Sequence, residues 1–289
     1  MPLLVSVALG KYDAPTNLAY NEICLNQVRA GYPILRIFTF SGPGLILAKH
    51  ESLWDVRDDH HQIATRRHTG GSVIYVDQNT LGYTALFQKG DLERGVKDVY
   101  RRLTEPIARA LQQRGLDANI GNLFSLRVDG KVIGGHAQYS SAKGIQYDGI
   151  VHIEKPDIAK IEKAIKLRRL CSNGSGHVVC IDGDVYDMKG THIGEENQFT
   201  LRTLRDERAE ISEMQGLRDF GLSQTDYIGI VRKTFEAVFN MKSIDESLGD
   251  VDSSAAELAE KKYRNKEWVS EGQRKGLGHC FVDLVEAET

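Results

Sequence analysis

The chain has 289 residues, 41% hydrophobic and 27% charged, with a formal net charge of −3: enough for a substantial core, and no overall electrostatic case for a nucleic-acid partner. No apolar run approaches the ~20 residues needed to span a bilayer, and the apolar N-terminus lacks the basic start and the length of a secretory signal. The four cysteines, Cys24, Cys171, Cys180 and Cys280, form no Cys-x-x-Cys pair, so neither a zinc ribbon nor a disulfide framework is expected, and the chain reads as reduced and cytoplasmic.

Residues 1–8 read as a first strand. Pro15 and Thr16 open a helix with Leu18, Leu25 and Val28 on one face and Gly31 as its C-cap. Strands follow at 33–40 and 44–49, then an undecided polar segment at 50–61, then three closely spaced strands at 62–67, 72–77 and 81–88, a spacing that favours antiparallel pairing. From Asp91 the period changes. Leu92, Val96, Val99, Leu103, Ile107 and Leu111 mark an amphipathic helix to about Gly115, which Pro106 is expected to kink or divide. Asp129-Gly130 joins strands 123–128 and 131–139 in a hairpin, and 149–154 is a further strand. Pro156 starts a helix on Ile158, Ile161 and Ile165. A second hairpin turns at Asp182-Gly183-Asp184, and 190–220 is polar with a helical hint. Ser223 with Asp226 opens a helix through Phe239, and Ser254 with Glu257 opens the last, carrying Leu258, Tyr263 and Trp268. The class is α/β (α+β), a mixed, largely antiparallel central sheet flanked by helices.

Two glycine-bearing stretches carry the functional signal. In Arg66-Arg67-His68-Thr69-Gly70-Gly71-Ser72-Val73-Ile74-Tyr75-Val76-Asp77, paired glycines permit close approach of a ligand to backbone N–H groups, and an adjacent arginine suits phosphate or carboxylate oxygens. Alternation lets only one of Arg66 and Arg67 face a pocket, so the other is read as a surface charge. The second stretch is Lys131-Val132-Ile133-Gly134-Gly135-His136-Ala137-Gln138. The cluster of Cys171, His177 and Cys180 is read as unpaired thiols rather than a metal site.

Together these stretches resemble lipoate–protein ligase A. The first is similar to that family's Arg-Arg-x-x-Gly-Gly-Gly-x-Val-x-His-Asp signature, and the second to its Lys-Ile-x-Gly-x-Ala-Gln stretch. Pro33-Ile34-Leu35-Arg36 resembles the family's early strand and Lys262 to Trp268 the end of its catalytic domain, in the same order over roughly residues 15–268. The resemblance implies a class II synthetase/biotin ligase-like fold, with a catalytic domain at 1–268 and a C-terminal extension at 269–289 that is too short for an accessory domain.

It also implies an activity: ATP adenylates lipoate, and a lysine ε-amine of an acceptor carrier domain then attacks the acyl-adenylate. By resemblance Lys131 is the lysine that meets the carboxylate and the α-phosphate, since adenylation brings two anions together. Arg67 would contact the nucleotide, Gly70 and Gly71 would wrap it, and Ser72, Val73, Ile74 and Tyr75 would hold the adenine edge. Asp77, Gly134 and Ala137 complete the binding set, and Asn122 is the Mg2+ ligand that survives. The chain departs from the pattern at Ser72 (third glycine), Val76 (histidine), Leu123 (aspartate) and Asp148 (histidine of His-Gly). Neighbouring octanoyltransferases use a cysteine shortly before the lysine motif, and none occurs here between Cys24 and Cys171, which disfavours a covalent acyl-enzyme. The alternatives are an ATP-independent lipoyl or octanoyl amidotransferase and a non-catalytic acyl or nucleotide binder. The expected partners are a lipoyl-acceptor domain and a separate small accessory protein.

Overall fold

Asp13 caps the first helix, its side chain accepting from the Thr16 N–H, and Pro15 sits in the first turn, where a missing N–H is harmless. Helix α1 (Ala14–Gln27) carries the chain from strand β1 (Leu3–Tyr12) to β2 (Ile34–Phe40), and β1 and β2 pair in parallel. The computed structural model describes residues 3–51, 53, 56–92, 96–121, 124–172, 176–187, 191–246 and 251–270. The C-cap of α1 is Val28, not Gly31; Gly31, at φ +73°, turns the chain between Arg29 and Tyr32 instead.

Strands β3 (Gly44–Leu47), β4 (Ala64–Arg66) and β5 (Ile74–Val76) form a small sheet of order β4-β3-β5. β3 runs parallel to β4 and antiparallel to β5, so the closely spaced strands at 62–67 and 72–77 pair with β3 between them rather than with each other. The polar segment Asp58–Ile63, on the crossover that joins the parallel β3 and β4, is a 3-10 helix. Next come β6 (Thr80–Phe87) and α2 (Val96–Gln112). Pro106 lies inside α2 without dividing it, since the buried row Val99, Leu103, Ile107 and Leu111 holds both halves to the sheet.

The chain then forms β7 (Ala118–Ile120), β8 (Leu126–Val128), β9 (Lys131–Ser140) and β10 (Ile145–His152). The β8–β9 turn has Asp129 at φ +50° and Gly130 at φ +74°, the left-handed pair that a two-residue hairpin requires. Short strand β16 (Ser243–Asp245) completes an eight-stranded sheet of order β16-β1-β2-β6-β10-β9-β8-β7, parallel across its first three strands and antiparallel beyond. Residue parity divides its two faces. Leu35, Ile37 and Tyr83 pack under α2 and α5 (Gln224–Phe239), while Phe38 and Phe40 pack with Leu18 and Tyr20 of α1.

The segment 156–220 holds α3 (Ile158–Ala164) and then a second, five-stranded sheet. Its strands are β11 (Arg168–Ser172), β12 (His177–Ile181), β13 (Asp184–Asp187), β14 (His192–Glu195) and β15 (Arg202–Asp206), in the order β14-β13-β12-β11-β15, with α4 (Glu207–Ser212) following. The helical hint over 190–220 therefore holds for α4 and for two short 3-10 turns, Glu196–Gln198 and Leu217–Phe220. The strands β14 and β15 at the two edges of this sheet are polar and show little apolar alternation. The last helix begins at Asp252, not Ser254: α6 (Asp252–Leu258) runs into a π-helical turn, Ala259–Tyr263, and a separate α7 (Lys266–Ser270). No helix among the described residues is long and apolar enough to cross a membrane.

Candidate functional site

A cavity of about 1050 Å3 opens where the small sheet, the β8–β10 part of the large sheet, α3 and α4 meet. Arg67, Gly70, Gly71, Ser72, Val73, Ile74 and Tyr75 line one side, and Gly134 and Ala137 another, so the structure brings both glycine stretches to one space. Apolar walls come from Leu18, Phe38 and Ile46 and, across the cavity, from Ile161, Ile165 and Met214.

The turn after β4 is built by Arg67. Its Nη2 donates to the carbonyls of Gly70 (2.7 Å) and Ser72 (2.8 Å), and its Nη1 to that of Ile46 (2.9 Å). Gly71 sits at φ +95°, which favours glycine; Gly70 has an ordinary φ and open space where a Cβ would stand. Arg66 is no surface charge. It is 2% exposed, and its guanidinium donates to the carbonyls of Ala48, Glu51 and Val269, which ties α7 to the small sheet. A buried guanidinium is tolerated there because carbonyl oxygens replace its water.

Below the turn lies Asp148 on β10. Its Oδ1 accepts from Thr84 (2.7 Å) and Gln146 (3.1 Å), and its Oδ2 from Thr69 (3.2 Å) and Gln146 (2.9 Å). Burial pushes this carboxyl up, against the pull of those donors and of Arg67. Asp148 thus pins the glycine turn, through Thr69, to the floor of the large sheet. The sequence marked it only as a departure from a histidine. His136 bonds through Nδ1 to the Phe124 carbonyl (2.9 Å), so Nδ1 carries the hydrogen and Nε2 accepts from the Tyr83 hydroxyl (2.6 Å). Burial lowers His136 and His152, which also line the cavity, to about 4, so both are neutral at pH 7.

Other expected site residues lie elsewhere. Asp77 is not a cavity residue; its side chain accepts from the Asn79 N–H (2.8 Å) and braces the β5–β6 turn. Val76, at the family's histidine position, is fully buried in the α1 core. Asn122 and Leu123 lie outside the described residues. Lys131 is exposed at the start of β9 and is not among the lining residues, whereas Val132 is. Counted back from Ala137 and Gln138, the Lys-Ile-x-Gly-x-Ala-Gln pattern is met at Ile133 and Gly135, and its first position falls on Val132. Placing the lysine at Lys131 is therefore one residue out of register, and in a strand one residue changes the face.

Arg127, on β8, lines the cavity and was missed; its only signal in the sequence is its position opposite Val132 across the Asp129-Gly130 hairpin. Glu207 and Glu51, both buried, pair with Arg168 of β11 at 3.1 and 3.0 Å, joining the second sheet to the cavity wall. Among the described residues no group of three or more His, Cys, Asp or Glu is placed to hold a metal ion. Of the carboxylates that line the cavity, Asp148 already receives four hydrogen bonds and Glu207 is paired with Arg168, so the described residues do not fit an Mg2+ cage.

Comparison with known proteins places these features in a family. A family model described as the lipoyl protein ligase A/B catalytic domain matches residues 13–181. Lipoate-protein ligase A subunit 1 of Thermoplasma acidophilum is 24% identical over 261 residues, 87% of this chain and 90% of that protein. Lipoate-protein ligase LplJ of Bacillus subtilis is 25% identical over 163 residues, 54% of this chain, and the match spans 47%, about half, of its own length. The solved bi-partite lipoate protein ligase of Thermoplasma acidophilum, reported with its E2 lipoyl domain, superposes with a TM-score of 0.70 at 20% identity, covering 96% of this chain and 99% of that one. A lipoate-protein ligase A bound with ATP gives 0.68 at 18% identity, covering 94% and 100%. These likenesses establish a shared fold.

Proposed function

The chain belongs to the lipoyl protein ligase A/B catalytic domain family, and from that premise we propose that it activates lipoate with ATP and transfers the lipoyl group to a lysine of a carrier domain. The observation that carries this reading is the single cavity in which both glycine stretches meet an apolar wall. In the first step a carboxylate oxygen attacks the α-phosphorus of ATP and pyrophosphate leaves; in the second the lysine amine attacks the acyl carbon and AMP leaves. The backbone N–H groups of the Gly70–Ser72 turn suit phosphate oxygens, and Val73, Ile74 and Tyr75 suit the adenine edge. Arg67 acts by holding that turn and by adding positive charge beneath it. Gly135, where an added Cβ would meet nothing within 4 Å, and Ala137 keep the opposite wall low, which leaves depth for the dithiolane tail. Mg2+ would arrive as the counter-ion of ATP. The relative named as a subunit 1 supports a separate accessory protein as a partner, and the solved ligase paired with its E2 lipoyl domain supports a carrier of that kind.

The test is purified protein with lipoate, ATP and a lipoyl carrier domain, with and without a co-expressed accessory partner. Pyrophosphate release and a lipoyl mass shift on the carrier that both require ATP are expected. Transfer without ATP would replace the ligase reading with an amidotransferase. The exposure of Lys131 favours one competing reading, a non-catalytic acyl or nucleotide binder. Lipoate binding without pyrophosphate release under every condition would select it.

A further inference from the structure

We propose that Arg127 is the group that recognises the carboxylate of the acyl ligand in this cavity. The inference rests on the proposed ligand class, an apolar chain ending in a carboxylate. Such a head group, drawn into a mostly apolar cavity, needs a cation with parallel donors. The permanently charged cations among the described lining residues are Arg67 and Arg127. Arg67 directs its guanidinium at the carbonyls of Ile46, Gly70 and Ser72, and His136 and His152 are neutral.

Arg127 stands differently. It lies on β8 directly opposite Val132 of β9, and directly opposed residues of an antiparallel pair project to the same face. The position where the family pattern calls for a lysine is thus apolar, and the residue across the ladder from it is a cation. Lys131, by contrast, pairs with Val128 and is exposed. Both hydrogen bonds of Arg127 among the described residues leave from Nη1, to the Gly130 carbonyl (2.7 Å) and to Glu213 (3.2 Å). The Nε–Nη2 edge, which presents two parallel N–H groups, matches a carboxylate in bidentate geometry. Gly121 makes room for it: a Cβ there would stand 2.7 Å from the Arg127 Nε. Glu213 is 45% exposed, so its pair with Arg127 is weak enough to exchange for a ligand carboxylate.

The experiment is calorimetric titration of the full chain with lipoate and with neutral lipoamide, which share a tail and differ in head charge. Wild type is expected to prefer lipoate. Arg127→Ala should weaken lipoate binding by about 10-fold or more and leave lipoamide within about twofold. Val132→Lys added to Arg127→Ala should restore the preference, which a purely structural role of Arg127 would not allow, and Lys131→Ala should leave it unchanged. Thermal melts of each variant report folding. A wild type without preference for lipoate, an Arg127→Ala variant that keeps the preference, or a Lys131→Ala variant that loses it would each overturn the proposal. Wild type that prefers lipoate through Arg127 but releases no pyrophosphate with ATP would leave this inference standing and sink the ligase reading.

Discussion

His152 should make the protein acid-sensitive in a measurable window. It is the last residue of β10, paired with Thr80, and it is 5% exposed at the cavity wall. Burial lowers it from the ordinary 6.5 to about 4, with Asp77 pulling weakly the other way. Because the folded value lies below the unfolded one, the unfolded chain binds the extra proton between those limits. The stability is therefore fully present above pH 6.5 and is lost as pH falls toward 4. The slope approaches about 1.4 kcal/mol per pH unit, giving a loss of about 2 kcal/mol at pH 5 and about 3 kcal/mol at pH 4. His152→Leu fills similar space and cannot titrate. Urea unfolding of both proteins at intervals from pH 7 to pH 4.5 reads the difference, in which shared carboxylate titrations cancel. The variant should gain on wild type by about 2 kcal/mol between pH 7 and pH 5. Parallel stability curves would refute the assignment of a buried neutral imidazole.

The neighbouring strand should tolerate substitution unevenly: Gly134→Ala puts a Cβ 2.0 Å from the Ile150 carbonyl oxygen and should cost about 3 kcal/mol or more, read by thermal melts, whereas Gly135→Ala meets nothing within 4 Å and should melt near wild type. Arg168→Met strands Glu51 and Glu207 as buried carboxylates without their cation and should cost about 3–5 kcal/mol in urea unfolding. Glu22 accepts from Lys262 (2.8 Å), Tyr263 (2.7 Å) and His68 (3.3 Å). Burial raises its carboxyl, but these donors outweigh burial and hold it down at about 2. Its contribution is present above pH 4.5 and lost as pH falls toward 2. Glu22→Gln should cost about 2 kcal/mol after screening and increase hydrogen exchange over 259–270, and unchanged exchange there would remove Glu22 as the tether of the C-terminal helices.

Some of this was legible without coordinates because its causes are local. The β8–β9 hairpin follows from Asp129-Gly130, whose left-handed conformations close a two-residue turn. Helix α5 follows from the Ser223–Asp226 capping box and the apolar row through Phe239. The glycine turn after Arg67 was likewise readable, as was its membership in a nucleotide-suited family pattern. Polar β14 and β15 were not, because a strand at the edge of a sheet leaves little apolar alternation to read.

The sequence alone determined that two glycine-bearing stretches with neighbouring cations occur, and in which order. Only the tertiary structure decided which of their residues face the ligand space. Parity along β9 turns Lys131 outward and leaves Val132 at the wall, while pairing with β8 brings Arg127 across from it. Burial turned Arg66 from an assumed surface charge into the anchor of α7, and two long-range donors, Thr69 and Thr84, made Asp148 the pin of the glycine turn. These assignments depend on partners distant in the chain, and hydrogen bonding and desolvation act between neighbours in space.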